Sequence, residues 1–169
     1  MNNSIPCKVN IRSFITQIDT KDEGPFAQKG CALKVDINEN DPPECDEVIE
    51  FSTEGVIRSK GDIFEITYKE NEELGMSNIE STLRFKKSRP TLVNLIRKGS
   101  APASLVFDSE FPRQNCTYCL GNLPFSFCIV TNDVCNVFDD KGGKITLDYE
   151  IEMHGVRTEH NVYTLEYKM

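Results

Sequence analysis

The sequence predicts an all-β domain: one antiparallel β-barrel of about 8–10 strands, with little helix. Three observations carry this. First, apolar and polar residues alternate with period two, most clearly near the C-terminal end. There Ile145, Leu147, Tyr149, Ile151 and Met153 interleave with Lys144, Thr146, Asp148, Glu150 and Glu152, the pattern of a strand with one dry face and one wet face. Second, turn residues punctuate the chain at spacings of roughly 8–14 residues, as in sandwiches and barrels. Third, no stretch shows the helical period.

The first strand runs from Cys7 to about Gln17, with Cys7, Val9, Ile11 and Ile15 on one face. A long connection, 19–46, follows. Inside it Cys31, Leu33, Val35 and Ile37 alternate and predict a short extra strand, which Asn40-Asp41-Pro42-Pro43 ends. Glu47 to Arg58 is the next strand, where Gly55 marks a bulge or sharp bend. Lys60-Gly61-Asp62 turns the chain into Phe64, Ile66 and Tyr68. Glu70 to Gly75 reads as a polar, solvated tip, and Ile79, Leu83 and Phe85 form a strand whose apolar face includes Ser81.

From Thr91 to Lys98 both faces carry apolar residues: Leu92 and Ile96 on one, Val93 and Leu95 on the other. Ala103–Phe107, Arg113–Tyr118, Phe125–Ile129 and Val134–Phe138 read as four short strands, the middle two divided by a turn at Gly121-Asn122. Asp139 to Gly143 turns into the final hairpin, whose second strand repeats the alternation at Tyr163, Leu165 and Tyr167. An antiparallel sheet with one dry face removes its exposed edges by closing.

At 169 residues the chain suits a single domain, 1–169, with 19–46 as an insertion between strands. A domain of this size buries about 70% of the surface its unfolded chain exposes. The net charge of −8 repels phosphate backbones and anionic lipid, so neither nucleic acid nor membrane is an expected partner. The first six residues carry no basic and apolar leader pattern, no apolar run is long enough to span a bilayer, and the expected compartment is the cytoplasm. Seven cysteines, an odd number in a chain of this kind, predict free thiols used as small hydrophobes.

Several stretches, in order, resemble a known family: Glu47-Val48-Ile49-Glu50-Phe51-Ser52-Thr53-Glu54-Gly55, Phe64-Glu65-Ile66-Thr67-Tyr68, Ile96-Arg97-Lys98-Gly99, Leu105-Val106-Phe107, the region from Tyr118 to Thr131, and Gly142-Gly143-Lys144-Ile145-Thr146-Leu147-Asp148-Tyr149. Together they resemble the YwiB-like family of small bacterial proteins, a domain of unknown function with a calycin-like (lipocalin-like) β-barrel. The resemblance spans nearly everything from Glu47 onward and implies the fold. It implies no activity. The connection 19–46 looks longer than the family's link, and the cysteines at 116, 119, 128 and 135 are not a family pattern.

The chemistry-bearing residues are few. Cys116-x-x-Cys119, with Cys128 and Cys135, offers four thiols, but the second pair lacks the two-residue spacing zinc favours. No helix is present to activate a redox Cys-x-x-Cys. His154 and His160 flank the last turn near Glu152 and Glu159 and read as solvated. The acidic groups at 70–73 and 139–140 lack the spacing of a calcium loop. No nucleophile elbow, phosphate loop or His-Glu-x-x-His occurs, so no catalytic residue, metal or cofactor is expected and no motif supports an enzyme.

What remains is an inward polar set: Thr53, Tyr68, Ser81, Tyr149, Tyr163 and Tyr167, joined by Arg97 if Val93 and Leu95 face inward. A polar group inside a barrel finds a partner or costs about 1–3 kcal/mol. These groups either satisfy one another in a filled core or line a cavity, since a barrel of this size stands at the border between the two. The functional expectation is a binding protein holding a small, partly apolar ligand inside the barrel. The alternative is a filled barrel that serves as a protein-interaction or homodimerising module, so the expected state is monomer or homodimer.

Overall fold

The computed structural model describes residues 4–18, 45–70, 78–139 and 141–169. Among them there is no helix. Ten strands follow one another: β1 (Ser4–Gln17), β2 (Glu47–Lys60), β3 (Ile63–Lys69), β4 (Glu80–Lys86), β5 (Arg89–Lys98), β6 (Ala103–Asp108), β7 (Arg113–Leu120), β8 (Leu123–Phe138), β9 (Gly142–Met153) and β10 (Val156–Lys168). Each pairs antiparallel with the next, and β1 pairs with β10 from Lys8↔Lys168 to Gln17↔Glu159. The result is a closed up-and-down barrel, the architecture of calycin-like folds. The extra strand expected at Cys31–Ile37 lies outside the described residues.

Closure turns the period-two pattern into an inside and an outside. Phe64, Ile66 and Tyr68 of β3 are buried, and so are Ser81, Leu83 and Phe85 of β4. On β5 the two apolar faces resolve: Val93 and Leu95 are buried, and Arg97 shares their register row while Leu92 and Ile96 face outward, partly covered. Outside, charges meet across strands, as in Arg12–Glu50 and Lys144–Glu166. Exposed pairs of this kind are worth about 0–1 kcal/mol each.

The runs Phe125–Ile129 and Val134–Phe138, expected as two strands, are one 16-residue strand, β8. A bulge between Thr131 and Asp133 inserts a residue opposite β9. It switches the inward parity from Ile129 and Thr131 to Val134, Asn136 and Phe138, and that switch mimics a strand break in the sequence. Gly55 pairs with Cys7 and with Tyr68 and neither ladder shifts register, so β2 carries no bulge there. A Cβ there would lie 2.7 Å from Val9 Cγ2, so the two strands approach too closely for a side chain.

The interior differs at its two ends. Where β2–β3, β4–β5 and β8–β9 turn, four rings plug the barrel. Phe64 lies 5.1 Å from Phe85, 6.1 Å from Phe138 and 5.8 Å from Tyr167, and Phe85 lies 5.2 Å from Phe138. Above them Val9, Ile66, Leu83, Ile145, Leu147 and Leu165 are sealed from solvent. Tyr167 stands directly opposite Gly143 and lays its ring over it. A Cβ at Gly143 would meet the Tyr167 hydroxyl at 2.6 Å and the Val137 carbonyl at 2.7 Å. The Tyr167 hydroxyl is buried without a hydrogen-bond partner among the described residues.

Two outcomes follow for urea denaturation. Gly143→Ala lowers stability by about 1–3 kcal/mol, because the clash is with backbone as well as ring. Tyr167→Phe keeps the ring, removes an unpartnered hydroxyl, and leaves the midpoint unchanged or higher. A marked loss in Tyr167→Phe would mean that the hydroxyl is bonded.

Candidate functional site

The other end of the barrel, where β3–β4, β5–β6, β7–β8 and β9–β10 join, is built differently. Tyr68, Ser81 and Arg97 occupy one register row across β3, β4 and β5, so alternation turns all three inward at the same level. Glu70, just past β3, donates its backbone N–H to the Ile79 carbonyl at 2.9 Å. Its side chain has the inward parity of Tyr68. There the Arg97 Nε donates to Glu70 Oε1 at 2.9 Å, and Nη2 donates to Oε2. Ser81 Oγ donates to the same Oε1 at 2.6 Å, and the Tyr68 and Tyr163 hydroxyls meet at 2.7 Å. The Glu70 side chain is only 10% exposed and that of Arg97 22%. Glu70 was expected in a solvated tip and is instead the buried hub of this cluster. The signal that would have found it is its parity with Phe64, Ile66 and Tyr68.

A bidentate Arg–carboxylate pair with a third donor satisfies most of what burial costs. Burial alone would lower the Arg97 pKa, but the Glu70 hydrogen bonds and charge outweigh it, so the guanidinium is held charged. Burial pushes the Tyr68 and Tyr163 hydroxyls well above their ordinary value, with the Glu70 charge adding to it. Burial does the same to Tyr149, where the charge of Glu159 adds.

Around this cluster the wall is half open. Phe51, Leu105, Phe127, Tyr149 and Tyr163 pack on the core yet stay partly accessible, unlike the sealed layer beneath. Tyr149 presents its ring to Phe107 edge-on at 4.7 Å across the barrel. Asn161, 3% exposed, donates to Glu159 Oε1 at 2.7 Å, and Glu159 stands on the inward register of Ile151. The barrel is therefore a cup: plugged by aromatic rings at one end and lined with mixed apolar and polar groups at the other.

The side wall also opens. β3 pairs with β2 only over Gly55–Lys60, so the first half of β2 meets β1 alone among the described ladders. An open pocket of about 990 Å³ lies there. Cys7, Thr53, Gly55 and Tyr68 line it from the inner row, and Lys8, Glu54, Lys69, Glu80 and Lys168 from the outer rows. The structure thus brings together five of the seven residues singled out from sequence: Tyr68, Ser81, Arg97, Tyr149 and Tyr163. Thr53 lines the side opening beside Tyr68. Tyr167 belongs to the plug at the far end and is not part of the cup.

The remaining motifs fall apart on strand geometry. Residues three apart on a strand face opposite ways, so Cys116 is buried inside while Cys119 points outward. Cys128 also faces outward, paired with Asn115. Among the described residues no group of three or more potential ligands could hold a metal ion. His160 lies on the outer face, 2.7 Å from Asp148 Oδ1, and His154 occupies the turn with φ of 52°. The Asp148 bond raises the His160 pKa against a smaller opposing effect of burial.

The tyrosines give a test on the alkaline side. Tyr68, Tyr149, Tyr163 and Tyr167 all titrate above their ordinary value of 10.0 in the folded chain, Tyr167 at about 12. Their contribution to stability is complete below the unfolded value and is lost as pH rises through the folded ones. Absorbance titration of tyrosinate should therefore lag, then rise together with loss of strand circular dichroism. Ionisation of all the tyrosines near pH 10.0 with the strands intact would show that these hydroxyls are solvated.

Comparison with known proteins adds the fold's kin. Over 99% of its length the chain is similar to the crystal structure of the ywiB protein from Bacillus subtilis, covering 94% of that chain with a TM-score of 0.70 at 15% identity. That likeness concerns the fold alone. Comparison with curated proteins gives no significant match. A sequence family described as a domain of unknown function, DUF1934, matches residues 33–165, a span holding Tyr68, Glu70, Ser81, Arg97, Tyr149, Glu159 and Tyr163, and the chain belongs to that family.

Proposed function

We propose that the protein binds a small, partly apolar molecule in the open half of the barrel, and that it is a binding protein with no catalytic centre. One observation carries this reading. Phe51, Leu105, Phe127, Tyr149 and Tyr163 stay partly accessible around a cluster of hydrogen-bonding groups, above a sealed layer of Ile66, Leu83, Leu147 and Leu165. Natural ligand pockets have that make-up: apolar and aromatic walls with a few placed polar groups. Tyr149 and Tyr163 supply rigid walls with polar tips, and Arg97, fixed by Glu70, supplies a directed donor.

A second reading has its own observation. The tip of the β7–β8 hairpin reaches beyond the end of β9 and presents Leu120, Leu123 and Phe125 on one face, with Leu123 65% exposed. Such a face suits a homodimer contact.

Nile red separates the two. The binding reading expects bright, saturable dye fluorescence that Tyr149→Ala weakens and Leu123→Lys leaves intact, with the chain monomeric by light scattering. A dark dye and no co-purifying small molecule in native mass spectrometry would end it. A dimer that Leu123→Lys splits would establish the second reading.

A further inference from the structure

The open end of the barrel carries an apolar rim, and the rim faces inward. Tyr68, Ser81, Arg97, Ala103, Tyr118 and Phe125 are successive ladder partners across β3, β4, β5, β6, β7 and β8. Ladder partners share a face of the sheet, so Phe125 stands on the inner face in the row of the Arg97 cluster. Beyond that row the β7–β8 hairpin extends past its neighbour, because β8 meets β9 only from Cys128 onward among the described ladders. Leu120 and Leu123 are partners on this extension and keep the inward parity of Tyr118 and Phe125. On the adjacent β9–β10 hairpin, Met153 continues the inward row of Tyr149 and Ile151, and Val156 is its partner.

Leu120, Leu123, Phe125, Met153 and Val156 are all exposed, and they make up half of the ten large apolar side chains exposed among the described residues. Scattered apolar residues on a surface are ordinary, but a contiguous group marks a contact site. Size and shape decide what this one receives. The exposed parts of the five side chains come to roughly 400 Å², about half of the 800 Å² per partner that a specific protein interface needs. The strip is also long and narrow. From Leu123 to Phe127, β8 covers about 13 Å, while the two strands of the hairpin stand about 5 Å apart. At its lower end the strip runs into Phe127, which packs on the core with Tyr149 and Tyr163 in the half-open wall of the cup. An apolar strip of that outline, continuous with a half-open wall, fits an unbranched alkyl chain.

We propose that the occupant of the cup is a long-chain amphiphile whose alkyl tail leaves the cup along the inner face of the β7–β8 and β9–β10 hairpin tips. This rests on the binding reading above, in which the cup holds the rest of the molecule. It gives to the ligand the face that the second reading gives to a dimer. Each methylene laid on the strip leaves water, so affinity grows with tail length and the two hairpin tips set the chain length preferred.

The test is displacement of Nile red by 1-hexanol, 1-octanol and 1-decanol, with light scattering on the same samples. Each added methylene is expected to tighten binding about fourfold, so decanol competes at roughly 200-fold lower concentration than hexanol. In Leu123→Lys the short probe is unchanged and decanol weakens about tenfold. Leu120→Lys, at the partner position, has the same effect. Both sites are exposed at a hairpin tip, so strand circular dichroism stays as in the unsubstituted chain. A gain that stops at hexanol, or decanol binding unmoved by both substitutions, would overturn the tail assignment while leaving a ligand-binding cup. A dimer that Leu123→Lys splits would give the strip to a second copy and overturn it as well. Nile red that never brightens would overturn the binding reading and this inference together.

Discussion

The constraint on which the structure depends is the ladder between the first strand and the last. Ten consecutive residues of β1 pair with β10, and this contact removes both edges of the sheet at once. Closure also fixes what each residue means. In an open sheet an inward tyrosine has the choice of water or a partner; in a closed barrel it has only the interior, so every inward polar group must be accounted for.

The barrel divides that accounting between its ends. At one end the interior is filled by rings, and the local rule is shape: Gly143 is small because Tyr167 lies on it, and Gly55 because Val9 approaches it. At the other end the rule is hydrogen bonding. Glu70, Arg97, Ser81, Tyr68 and Tyr163 satisfy most of one another's groups across four strands. Breaking a buried charge pair on one side leaves the other uncompensated, a loss of about 3–5 kcal/mol where burial is complete. The cluster is therefore costly to keep merely for stability in a barrel whose other half shows that an apolar filling works. That contrast supports reading the polar end as a site.

Much of this was legible in the residues. Alternation identified nine of the ten strands as separate elements and put Tyr68, Ser81, Tyr149 and Tyr163 inside, because period two maps directly onto faces. It erred where the period itself changes. The bulge at Thr131–Asp133 flips parity within β8, and a flipped parity reads as a new strand. It erred again at Glu70, where an acidic residue beside other acidic residues suggested solvent, although its position in the alternation pointed inward.

The sequence alone thus determined the fold class and the inward set, since these follow from local periodicity. Tertiary structure decided which inward residues are neighbours. Tyr68 and Tyr163 are 95 residues apart and Glu70 and Arg97 27, and their meeting depends on strand stagger around the closed sheet. The same stagger sent Tyr167 to the plugged end although it shares a face with Tyr163. Periodicity records which way a side chain points, but only the closed ring records how high it stands and what it faces.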